Sequence, residues 1–230
     1  MIDAGISMRK IQTGLQQAGV TMQEINGVLI THEHSDHISG LKMLAKHYNT
    51  PIFAPEKLGM KLVELDEKIE NKLNIIPVGR SFDLSGFEVK ACHTPHDVEE
   101  SVAYRLDGDG SFALATDMGH VTDDIKAFLK GVDSALIESN YDENLLRIGP
   151  YPSFLKRRVA SDRGHLSNNC SAKLAAFLEE HGTGRLILGH LSRENNTPDK
   201  AFNTVKSALQ SAATELFCAQ AQGFMEFKIG

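Results

Sequence analysis

The sequence predicts an α/β fold from three observations. Short runs rich in β-branched and aromatic residues recur along the chain at strand length. Between them lie longer amphipathic stretches, several with polar starts or glycine stops, the marks of helices. The two kinds alternate, which is the pattern of sheets covered by helices. At 230 residues the chain is long enough for a substantial core, and one domain over 1–230 is expected.

In order, "MRKIQTGLQQAG" (8–19) reads as a helix and "GVLIT" (27–31) as a strand. "DHISGLKMLAKHY" (36–48) reads as one helix, followed by the strand "PIFA" (51–54). "FEVKACH" (87–93), "SVAYRLD" (101–107) and "SFALATD" (111–117) read as strands, "DDIKAFLKG" (123–131) as a helix and "SALIES" (134–139) as a strand. Residues 140–168 show neither period clearly, and long irregular segments are more often functional than accidental. After it come the helix "NNCSAKLAAFLEEHG" (168–182), the strand "RLILGH" (185–190) and the helix "DKAFNTVKSALQSA" (199–212). Two strands follow, "ELFCAQ" (215–220) and "FMEFKI" (224–229).

Composition excludes several classes. No apolar run approaches the roughly 18 residues of a membrane span, and the first residues lack the charged head and apolar stretch of a secretory signal. Cys92, Cys170 and Cys218 form no CxxC and cannot all pair, which suits a reducing, cytoplasmic setting. A net charge of −6 leaves no global basic face for nucleic acid, though a local patch remains open.

The stretch "THEHSDHISG" places His32, His34, Asp36 and His37 directly after a strand and at the start of a helix. A single histidine is an ordinary surface or core residue, but four ligand-type side chains in one short loop are not. His32 and His34, two apart, point the same way in an extended loop. Asp36 and His37 follow at the turn and point elsewhere. Two divergent pairs fit two adjacent metal ions, and imidazole with carboxylate suits zinc, manganese or iron. Further donors recur at strand ends: His93 and His96, Asp117 and His120, and His190. Side chains at one end of neighbouring strands converge on one sheet edge.

"THEHSDHISG" resembles the HxHxDH signature of the metallo-β-lactamase fold superfamily, and "TPHD", "ATD" and "LGHLS" resemble its later motifs in order. The resemblance implies an αββα sandwich of two mixed sheets with outer helices and a dinuclear metal site at one edge. By position, His32, His34 and His96 would hold the first ion, Asp36, His37 and His190 the second, and Asp117 would bridge. Asp3, in "IDAG", matches an early DxG element whose aspartate orients ligands. His96 is preferred to His93. His120 reads as a loop residue, His47 and His181 as helix-end histidines and Cys92 as a strand-core cysteine.

A hydroxide bridging two metals is a strong nucleophile at neutral pH, because metal binding lowers the pKa of water from about 15.7 toward 7. It could attack a phosphodiester, thioester, lactone or lactam. "LIESNYD" and "DRGHLS" resemble the "E…GHxS" arrangement of the phosphodiesterase branch, that of the transfer-RNA 3′-processing nucleases and their relatives. There the histidine, here His165, protonates the departing oxygen and the acidic residue, here Glu138, holds it. Asp36, His165 and Glu138 are thus the expected catalytic residues. The segment 147–163 is basic within an acidic chain, and Lys156, Arg157 and Arg158 are expected to grip phosphate. Its bland alternative is an amphipathic helix with Phe154 and Leu155 packed inward.

More specifically, "LIESNYDENLLRIGPYPSFLKRRVASDRGHLSNN" and "LGHLSRENNTP" resemble segments of the small bacterial YycJ/WalJ-like branch. This resemblance implies a nuclease, with 5′-to-3′ exonuclease action on DNA ahead of RNA. The alternative is a metallohydrolase of a small acyl substrate, which would need neither the basic segment nor His165. Superfamily members usually carry a strand hairpin of roughly 30 residues before the DxG element. Its absence here predicts an exposed edge or apolar face near 1–5 and 27–31, and with it self-association into a homo-oligomer.

Overall fold

The structure is a computed structural model that describes residues 1–219 and 223–227. The chain forms two compact units, Met1–Ala91 with Val98–Val102, and Cys92–Asp97 with Ala103–Gly230. No helix among the described residues is long and apolar enough to cross a membrane.

The first unit opens with residues that run beside β1 (Val28–Leu29), and then forms α1 (Met8–Gln17). After β1 come two short helices, α2 (Ser35–Ile38) and α3 (Leu41–His47). The single helix expected over 36–48 is broken at Gly40. A Cβ there would lie 2.2 Å from the Ile6 carbonyl oxygen, and the Gly40 amide donates to Ala4 O at 2.8 Å. β2 (Ile52–Ala54), α4 (Glu56–Leu65) and β3 (Leu73–Ile75) complete a parallel sheet in the order β1-β2-β3. Ile11, Val28, Ile30, Leu41, Leu44, Ile52, Leu58 and Leu62 are among the residues of its core.

β4 (Ser81–Leu84) and β5 (Phe87–His93) form an antiparallel hairpin. Its two-residue turn, Ser85-Gly86, has φ of 55° and 87°, the positive pair that matches strand twist in tight hairpins. β4 was hidden in the sequence because it alternates half-buried and exposed residues over only four positions.

The second unit is a mixed sheet. β6 (Val102–Asp107) pairs antiparallel with β7 (Ser111–Ala115). After α5 (Asp123–Leu129), β8 (Ser134–Glu138) lies parallel to β7. Two short helices, α6 (Glu143–Ile148) and α7 (Ser153–Val159), occupy the segment that showed no period. They precede α8 (Asn168–Glu180) and β9 (Arg185–Gly189), which is parallel to β8. α9 (Pro198–Lys206) leads to β10 (Glu215–Cys218), parallel to β9. The continuous apolar runs of β8 and β9 mark strands covered on both faces. The last expected strand is absent over 224–227, and 228–229 lie outside the described residues. Because β7, β8 and β9 run parallel, the residues after them emerge along one edge.

The exposed apolar face expected near the first strand is not there. Residues 27–31 are buried, and the opening segment pairs with β1 through an Ile2–Leu29 bridge. Leu29 N donates to Met1 O at 2.9 Å and Asp3 N to Leu29 O at 2.8 Å. The opening residues thus cover this side of β1, themselves half-buried except for the buried Ala4.

Gly5 is the tightest position in this unit: an added Cβ would sit 1.5 Å from the Asp36 carbonyl oxygen. Gly5→Ala should therefore destabilise the chain by roughly 2–3 kcal/mol, a fall of about 4–12 °C in its unfolding midpoint. Gly14→Ala, within α1 and with nothing within 4 Å, should instead stabilise by about 0.5–1 kcal/mol. Differential scanning calorimetry of the two variants checks both signs.

Candidate metal centre

In the first unit the loop after β1 packs its donors closely. The His32 and His37 rings lie 4.1 Å apart between centroids, and His32 and His34 lie 4.7 Å apart. His34 immediately precedes α2, Asp36 stands exposed in its first turn, and His37 is buried. Asp36 Oδ2 and His37 Nε2 are 3.8 Å apart. Asp3 holds this loop from behind. Its Oδ1 accepts from Thr31 N and its Oδ2 from Thr31 Oγ1, both at 2.8 Å, and Oδ2 lies 2.7 Å from His37 Nδ1. Gly5 lets the backbone pass against Asp36, and Ala4 N donates to His37 O. The "DAG" element is thus the bed on which "HSDH" lies.

In the second unit, Asp117 follows β7, Glu138 ends β8 and His190 follows β9. Glu138, His190 and His165 converge with Asp117, so that one ligand atom from each lies within 4.8 Å of the others. Asp117 Oδ1 is 3.3 Å from His190 Nε2 and 3.7 Å from His96 Nε2. His96 is buried, its Nδ1 lies 3.2 Å from Gly164 O, and its carbonyl accepts from Arg163 Nε at 2.7 Å. Gly164 also packs against the end of α7, where a Cβ would sit 2.2 Å from Val159 O.

Glu138 is fully buried and receives four donors. Its Oε1 lies 2.7 Å from His165 Nδ1 and 3.0 Å from His190 Nδ1. Its Oε2 accepts from Met118 N at 3.0 Å and Leu166 N at 3.2 Å. Burial pushes its pKa up, but the bonds and charges of the two imidazoles outweigh that and hold it down at about 2. Burial likewise disfavours the His165 cation, yet the bond to Glu138 and the charges of Glu138 and Asp117 raise its pKa overall.

The donor set fits divalent metal. A carboxylate or carbonyl oxygen only accepts, so Nδ1 carries the proton in His37 against Asp3, His96 against Gly164, and His190 against Glu138. Each ring then presents the lone pair of Nε2, the tautomer that metal-binding histidines take when an oxygen orients the other nitrogen.

Residues set aside at sequence level lie elsewhere. His93 is exposed, His120 Nδ1 lies 2.9 Å from Asp162 O, and His181 Nδ1 lies 2.7 Å from Phe177 O. Cys92 is half-buried and its thiol is pushed up to about 11 by burial. Two contributors went unseen. Thr31 bonds Asp3 and sits 3.1 Å from His32 Nδ1, and Asn140 Nδ2 donates to His190 O at 2.8 Å. Their one sequence signal is adjacency, since each is within two positions of a residue already singled out.

The basic residues are only partly available. Lys156 Nζ donates to Arg147 O at 2.8 Å, and Arg158 pairs with Asp97, next to His96. Arg157 is exposed on α7. Phe154 is also exposed, so the inward-packed alternative does not hold.

Residues 1–191 match the family model described as a beta-lactamase superfamily domain. The chain is 35% identical over 212 residues to "Exodeoxyribonuclease YycJ" of Bacillus anthracis, covering 91% of this chain and 80% of that protein. It is 34% identical over 216 residues to "Exodeoxyribonuclease WalJ" of Streptococcus pneumoniae, covering 92% and 80%. Among solved structures it resembles the metallo-β-lactamase fold protein YhfI of Bacillus subtilis, with a TM-score of 0.72 at 19% identity, over 95% of this chain and 83% of that one. With that family match and those relatives, the chain has the metallo-β-lactamase fold and belongs to the beta-lactamase superfamily, as a metal-dependent hydrolase.

Proposed function

We propose that the chain is a phosphodiesterase that cleaves DNA, with residues 1–230 as one domain and two divalent metal ions as cofactors. Zinc and manganese suit the donors best, and iron fits them too. In the family pattern His32, His34 and His96 would hold one ion, Asp36, His37 and His190 the other, and Asp117 would bridge them. Bound there, the ions would supply Lewis acidity and a water acidic enough to attack at neutral pH. The free Cys92, Cys170 and Cys218 fit action in a reducing cytoplasm.

The observation that carries the reading is the Glu138–His165 pair. His165 Nδ1 bonds the buried carboxylate at 2.7 Å, which turns Nε2 to the opposite side of the ring. An imidazole so held can donate a proton from Nε2 to a departing alkoxide, and the carboxylate favours its charged form. A phosphodiester, whose leaving group is a poor one, needs that donor. Hydrolysis of a thioester needs it far less. Both named relatives being exodeoxyribonucleases supports DNA over RNA.

Three outcomes follow. His165→Ala should keep its metals and lose roughly 10²–10⁴-fold in rate on an oligonucleotide, but far less on bis-p-nitrophenyl phosphate. Equal loss on both would make His165 a positioning residue and remove the acid. Elemental analysis of the loaded wild type should find about two ions, and His190→Ala about one; at most one ion in the wild type contradicts the dinuclear assignment.

Glu138→Gln should be more damaging than loss of His165, and on both substrates. The amide oxygen would keep the Met118 and Leu166 amides, which leaves the NH2 group facing the Nδ1–H of His165 and of His190, donor against donor. His190 would also lose its anionic partner. A glutamine variant that fell only on the oligonucleotide would show that Glu138 serves His165 alone.

A further inference from the structure

Among the described residues the two most exposed large hydrophobic side chains are Ile148 at 70% and Phe154 at 66%. Both belong to the α6–α7 segment, the most basic stretch of an acidic chain. Residues 147–163 hold Arg147, Lys156, Arg157, Arg158 and Arg163 against the single acid Asp162. A single exposed apolar side chain is ordinary, but the two most exposed ones fall together in the most basic segment, which offers a partner both ring and charge. Their surroundings are cationic, which disfavours a purely apolar partner and matches a polyanion that carries flat rings.

The local geometry joins the two features. Phe154 and Arg157 are three apart on α7 and share a helix face, with Arg158 one further on. Arg158 is committed to Asp97, and Lys156 is tied to the Arg147 carbonyl at 2.8 Å, which anchors α7 to the end of α6 beside Ile148. Phe154 and Arg157 are thereby presented on a braced helix. The same helix runs into the loop of Arg163, Gly164 and His165: His165 N donates to Val159 O, the last residue of α7, at 2.9 Å. The last turn of the helix that carries this face is thus tied to the backbone of the proton donor of the proposed reaction.

We propose that the Phe154–Arg157 face of α7 binds unpaired DNA, with Phe154 stacking on a base and Arg157 contacting the adjoining phosphate. The assignment rests on the nuclease reading for the fate of the strand, and on the charge and exposure of α7 for its binding. A stacked aromatic requires a base whose face is open, so the partner is single-stranded, or the unpaired end of a duplex. Stacking of this kind contributes about 1–3 kcal/mol per base, or roughly 5- to 150-fold in affinity.

Fluorescence anisotropy of a labelled single-stranded oligonucleotide, titrated with the full chain in EDTA, reads binding without cleavage. Phe154→Ala should weaken binding by roughly 5- to 150-fold, Phe154→Leu nearly as much, and Phe154→Trp should restore it. Arg157→Ala should weaken binding and flatten the salt dependence by about 0.7 in log K against log salt, the slope for one single-strand phosphate. Circular dichroism should show all four variants folded, as expected for exposed positions. Unchanged affinity in Phe154→Ala overturns the proposal, as does no binding by the wild type. So does Phe154→Leu binding like the wild type, which would mean apolar contact without stacking. Loss of self-association in Phe154→Ala with intact DNA affinity also overturns it, and assigns the face to a second copy of the chain. A wild type that binds through Phe154 but cuts no oligonucleotide when loaded with zinc or manganese would refute the nuclease reading alone.

Discussion

The second unit is organised around one buried carboxylate. Glu138 is cut off from water and would be costly to ionise there. Four donors offset that cost, two from backbone and two from imidazole. The four donors come from three parts of the site. Met118 N follows Asp117, Leu166 N follows His165, and His190 arrives from the end of β9. A single side chain therefore fixes the turn after β7, the loop before α8 and the residue after β9 against one another. Asp3 plays the matching part in the first unit, where it takes two bonds from Thr31 and one from His37.

Strain is concentrated at the same positions. Of the four non-glycine residues with positive φ among those described, three are Asp3, Asp117 and His190, at 55°, 57° and 56°. Such conformations cost about 1 kcal/mol or more each. The fourth, Ser85, sits in a hairpin turn where positive φ is ordinary. Glycine would relieve the strain at the other three, but a glycine has no carboxylate or imidazole to offer. Hydrogen bonds hold two of them in place, from Asp3 N to Leu29 O and from Asn140 to His190 O.

Much of this was legible in the sequence, and the reasons for what was not are physical. Strands with continuous apolar runs, such as "SALIE" and "RLILG", announce themselves, and the residues after them lie at one edge because the strands are parallel. β3 and β4 are too short and too exposed to show a period. α6 and α7 were unreadable because neither buries an apolar stripe. The break between α2 and α3 depends on Ala4 and Ile6 entering from another part of the chain. The double service of Glu138 was hidden for the same reason, since His190 is 52 residues away. A motif can suggest that Glu138 holds His165, but only the fold brings a second imidazole to the same oxygen. The basic run was visible as charge, yet which cations are spent inside the molecule was not.

Oxygen partners fix His37, His96 and His190 as their Nδ1–H tautomers and aim Nε2 at metal. Long-range ¹H–¹⁵N correlation of the histidine side chains, on metal-free protein and through a zinc titration, tests this directly. His37, His96 and His190 should show a protonated Nδ1 before zinc and a shift confined to Nε2 as zinc binds, while His165 Nε2 should stay unligated. Nε2–H tautomers in the metal-free protein, or zinc-induced shifts at Nδ1, would contradict the account.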